Sequence, residues 1–71
     1  MDRELEYKLE AFDNRLRLYR SIVSNYQEAL IKGIRSHSLR VTTEDWIKDL
    51  NGRIKKLERD RTNTIKKWKL Q

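Results

Sequence analysis

Apolar residues recur at Leu5, Leu9, Phe12, Leu16, Tyr19, Val23, Tyr26 and Leu30, in alternating steps of four and three. A strand alternates with a period of two and cannot generate that series, whereas an α-helix keeps every member of it on one narrow seam. Leu18, Ile22 and Ala29 fall beside the seam and widen it on one flank into a broader packing face. With no Pro and two Gly, little interrupts a helix, and Leu, Glu, Lys, Arg and Gln all favour one. The pattern predicts a first helix over about residues 3–33, ending where Gly33 replaces the next seam residue.

The segment from Ile34 to Thr42 has no helical period. Leu39 and Val41 alternate with polar neighbours, so residues 34–42 read as a short loop or a minimal β-hairpin, with His37 exposed within it. Thr42 or Thr43, followed by Glu44 and Asp45, has the chemistry of a helix start: a hydroxyl to accept an orphan amide hydrogen and carboxylates at the positive end of the dipole. A second helix is expected over about residues 43–69, with seam residues Ile47, Leu50, Ile54, Leu57, Ile65 and Trp68. The apolar rhythm passes through Asn51-Gly52 unshifted, so the helix is expected to continue there; a break giving three helices is the alternative.

If the helices fold back on each other, the seams pair in one register, with facing residue numbers adding to about 77. Leu30 then meets Ile47, Tyr26 meets Leu50, Val23 meets Ile54, Tyr19 meets Leu57, Phe12 meets Ile65 and Leu9 meets Trp68. Leu16 opposite Arg61 is the one poor match. Residues 1–13 hold five acids and two bases, and residues 61–71 hold four bases and no acid, so an antiparallel hairpin brings opposite charges together. The expected fold is mainly α: a single domain, residues 1–71, of two long antiparallel amphipathic helices. Leu18, Ile22, Ile31, Ile34, Leu39, Val41 and Trp46 lie outside the narrow seam and need a cover, which points to homo-oligomerisation or docking on another protein.

Catalysis is not expected. There is no Cys, and the single His37 leaves no cluster for a metal site. The acidic residues lie among Lys and Arg on helix faces or near a helix start, and no Gly-rich phosphate cradle or nucleophile with a paired base is present, so no catalytic residue and no cofactor is assigned. No apolar run approaches the ~20 residues that span a bilayer and no basic leader precedes an apolar stretch, so the expectation is a cytoplasmic protein without membrane contact. The net charge of +6 is concentrated late in the chain. Arg53, Lys55, Lys56, Arg59, Lys66, Lys67 and Lys69, with Arg35 and Arg40 near the connection, are the candidate contacts for phosphates or an acidic partner. Leu39, Val41, Trp46 and Trp68 are the candidate partner interface; Trp68 either closes the far end of the hairpin against Leu9 or anchors another subunit.

The run from Tyr26 through Ala29-Leu30, Gly33 and Ser36-His37-Ser38, then Val41-Thr42-Thr43-Glu44-Asp45, Leu50, Arg53-Ile54 and Leu57-Glu58, resembles the lambda W-like head-completion proteins of tailed bacteriophages, with His37 standing at the position of an aromatic. The resemblance covers residues 26–60 and implies a small hairpin between the helices. It further implies a non-enzymatic virion protein that forms a ring between portal and tail, with portal, connector or tail proteins as partners and DNA contact without sequence preference. Virion localisation would follow, with assembly in the host cytoplasm. Two other classes stay open: a small basic nucleic-acid-binding regulator, and a helical adaptor or inhibitor that lays one amphipathic helix into a partner groove.

Overall fold

A computed structural model describes residues 3–70 and contains two helices, α1 (Arg3–Lys32) and α2 (His37–Lys69). They form one antiparallel hairpin, a rod measuring 53 × 15 × 12 Å. The expected mainly-α helical hairpin is observed, and α1 has the expected bounds to within a residue.

Gly33 stops α1 by adopting φ +98, a backbone conformation that a Cβ makes costly. Its amide donates to the Ala29 carbonyl at 3.1 Å, satisfying an orphan acceptor of the last turn. The chain then reverses within Gly33–Ser36. Ser36 sits in extended backbone (φ -81, ψ 123), and its hydroxyl accepts from the Leu39 amide at 3.3 Å, so Ser36 is the N-cap of α2. The Arg40 guanidinium donates to the Ile34 carbonyl at 3.3 Å, tying the turn to the first turn of α2.

The start of α2 corrects the sequence reading. Residues 37–42 are helical, not a loop or β-hairpin, and His37 opens the helix as an exposed residue. Thr42 and Thr43 do not cap it: their hydroxyls donate back to the carbonyls of Ser38 (2.9 Å) and Leu39 (2.7 Å). Thr43 is 4% exposed and extends the seam one turn before Ile47. That back-bond satisfies the hydroxyl, so the side chain can be buried where an apolar residue would ordinarily stand. The helix runs through Asn51-Gly52 without a break and reaches Lys69.

The core is thin. Leu16, Val23 and Ile54 are its buried hydrophobics, with Tyr19, Ile47, Leu50 and Leu57 packed against them. The expected mismatch of Leu16 with Arg61 is resolved by the length of the arginine. Leu16 is 4% exposed, while the Arg61 guanidinium reaches past it to Asp13, with Nε to Oδ1 at 2.8 Å and Nη2 to Oδ2 at 3.5 Å. The opposite charges of the two chain ends thus meet in a forked pair on the side of the hairpin.

The two glycines should respond in opposite directions to alanine. Gly52 lies inside α2 with open space around the position of a Cβ, so Gly52→Ala is expected to stabilise by about 1 kcal/mol. Gly33→Ala forces a side chain into positive φ and is expected to destabilise by about 1 kcal/mol. Urea unfolding followed by circular dichroism measures both.

Candidate functional site

The residues assigned from sequence to a partner interface do not form one patch. Leu39 and Trp46, 49% and 46% exposed, are two turns apart and share one side of α2. Val41, 42% exposed, falls on the outer face. Trp68 lies about 43 Å along the helix from Leu39 at 1.5 Å per residue. It is half-buried under the Lys8 ammonium, which stands 5.2 Å from its ring centroid. Trp46 packs against Tyr26 with centroids 5.5 Å apart and planes tilted by 34°.

Groove positions distinguish the two sides of the hairpin. One side carries Asp13, Arg20, Glu58 and Arg61 around a groove of 340 Å³, bridged by Arg20–Glu58 at 3.2 Å and Arg61–Asp13 at 2.8 Å. The other carries three shallow grooves in a row. Lys8, Ala11, Phe12, Arg15 and Thr64 line the first; Arg15, Tyr19, Lys56, Leu57 and Asp60 the second; Ile22, Tyr26, Trp46, Asp49 and Leu50 the third. Arg53 borders the last two and pairs with Asp49 at 3.1 Å.

The basic residues assigned to phosphate or an acidic partner divide accordingly. Arg53 and Lys56 belong to the grooved side, among acids. Arg35 sits exposed in the turn, and Arg40 is engaged with the Ile34 carbonyl. Lys67, seven residues after Asp60 and eighteen after Asp49, lies on the grooved side of α2 by helix phase, and Lys69 ends the helix. Lys55, Arg59 and Lys66 align with Lys48, a residue the sequence reading passed over. Spacings of seven, four and seven put these four within about 40° of one another around the helix. None pairs with an acidic side chain among the described residues. The signal was available as a heptad-like repeat of cations reaching one turn earlier than the dense basic run.

The described residues contain no group of three or more His, Cys, Asp or Glu able to hold a metal ion. No helix of the described chain is long and apolar enough to cross a membrane. No family model, curated protein or solved structure matches this chain.

The Arg61–Asp13 pair bridges the helices where the seam has no apolar partner for Leu16. Both side chains are more than a third accessible (35% and 47%), so solvent screens them. A double-mutant cycle on Arg61→Ala and Asp13→Ala, read by urea unfolding, is expected to give a coupling of about 0.5 kcal/mol that shrinks with added salt.

Proposed function

We propose that this chain works without catalysis, as an assembly protein that completes its own packing against other chains. The observation that carries this reading is the imbalance of its apolar surface. Among the described residues three hydrophobics are buried, whereas Leu18 (57% exposed), Ile31 (85%), Leu39, Val41 and Trp46 stay open to solvent on a rod too thin to cover them. In its most specific form, drawn from the resemblance of residues 26–60, the protein belongs to a bacteriophage head–tail connector. Copies would form a ring between portal and tail, and the apolar residues at the turn end would face a connector or tail protein. The helical start of α2 takes the place of the hairpin that the resemblance implies, so the support from residues 34–42 is compositional and not structural.

A second reading, nucleic-acid binding, is favoured by the unpaired row Lys48, Lys55, Arg59 and Lys66. Cations spread over about 27 Å of helix match a phosphate backbone better than a small anion.

Two measurements separate the readings. Mass spectrometry of purified phage particles from the source of the sequence is expected to detect the chain together with portal and connector proteins, and its absence from particles overturns the connector. Binding of the purified chain to a DNA duplex, titrated across salt, supports the second reading if log affinity falls against log salt with a slope of about −3 to −4 and Lys55→Ala/Arg59→Ala lowers that slope by about 2. A flat response overturns it.

A further inference from the structure

Ala11, Leu18, Ile22 and Ala29 lie at spacings of seven, four and seven, so they form a second row on α1, about a third of a turn from the core seam. Leu18 is 57% exposed and Ile22 half-buried; Ala11 and Ile22 also contribute to the first and third grooves of that side. The row is a palindrome about residue 20: small, large, large, small.

We infer that this row is the contact between two copies of the chain, with α1 packed antiparallel on α1 of the second copy about a two-fold axis at the level of residue 20, on the face of α1 opposite Arg20. A two-fold contact brings one patch against itself, and a palindromic row is what such a contact needs. In this register Leu18 faces Ile22 of the second copy and Ala11 faces Ala29, so the large side chains meet at the centre and the small ones let the helices approach at both ends. Set at positions adding to 40, Arg15 lies level with Asn25 and Asn14 with Tyr26 of the second copy, while Lys8 lies level with Lys32, so charge does not choose the direction and the register rests on the palindrome.

The exposed area supports an occupant of this size. A compact chain of 8.7 kDa exposes about 4,700 Å². This one exposes 5982 Å², an excess of roughly 1,200 Å². The radius of gyration, 16.2 Å, likewise exceeds the value of about 11 Å expected for a compact domain of this length. A standard interface covers about 800 Å² on each partner, which fits within that excess. The product is a four-helix bundle, in which each hairpin supplies the third and fourth helices the other lacks. Ile31, Leu39 and Val41 at the turn end stay outside the pair, so a contact of a different kind remains available there.

The pairing deepens the assembly reading and rests on it only in requiring that copies meet. Light scattering of the purified chain is expected to give twice the 8.7 kDa chain mass. Leu18→Glu, at a position exposed within one chain, is expected to keep the helical circular dichroism while weakening association by at least about tenfold. Val41→Glu, on the outer face, leaves the dimer intact. The chain has no Cys, so engineered thiols report the register cleanly. Under mild oxidation a mixture of Leu18→Cys and Ile22→Cys chains cross-links into the mixed dimer, while either variant alone does not. A single-chain mass for the unmodified protein, a dimer that withstands Leu18→Glu, or cross-linking of each cysteine variant to itself overturns the inference. A monomeric chain that still enters particles overturns the pairing alone, and a dimer with this register that is absent from particles overturns the connector alone.

Discussion

One line of contact between two antiparallel helices holds this chain together, and every other feature is conditioned by how little that line buries. Helices of 30 and 33 residues each have a single partner, so the seam alone must offset the entropy of ordering the chain. Val23 against Ile54, with Leu16, Tyr19 and Leu57 around them, supplies the centre. Towards the turn, Thr43 takes a seam place by satisfying its own hydroxyl on the preceding turn. Where the seam has no apolar partner to offer, Arg61 lies alongside Leu16 and spends its charge on Asp13. These substitutions keep the line continuous, but none of them deepens it.

The helical hairpin, the end of α1 and the pairing of Val23 with Ile54 could be read from the spacing of apolar residues, because a seam of fours and threes has one geometric solution and its register follows from matching two such seams. The start of α2 could not. Ser38, Val41, Thr42 and Thr43 are weak helix formers, and an apolar period is invisible where a threonine holds the seam. Ser36 caps the helix without acidic residues in the first turn that follows it, whereas Thr42 and Thr43 precede Glu44 and Asp45, the commoner signature of a helix start. The candidate surfaces were less legible than the fold. Residue type identified Leu39, Val41, Trp46 and Trp68, yet only the helix phase tells that Val41 points away from Trp46 and that Trp68 is remote from both. The same phase gathers Lys48 with Lys55, Arg59 and Lys66 and leaves Arg53 and Lys56 among acids.

The resulting rod has two unlike long surfaces. One flank of α1 carries the palindromic apolar row beside open grooves, and the back of α2 carries a row of unpaired cations. On the proposed pairing the first surface meets a second copy, and the cations and the apolar turn end stay exposed beyond it. A small chain that obtains stability by association also ties its folding to its concentration, so that isolated copies are the least stable form.

That coupling is the most direct test of the account. Thermal unfolding by circular dichroism, repeated over about a hundredfold range of chain concentration, is expected to give a midpoint that rises steadily with concentration, as the dimer is favoured by mass action. A midpoint that stays constant across that range would contradict the claim that this two-helix rod relies on a second chain for its stability.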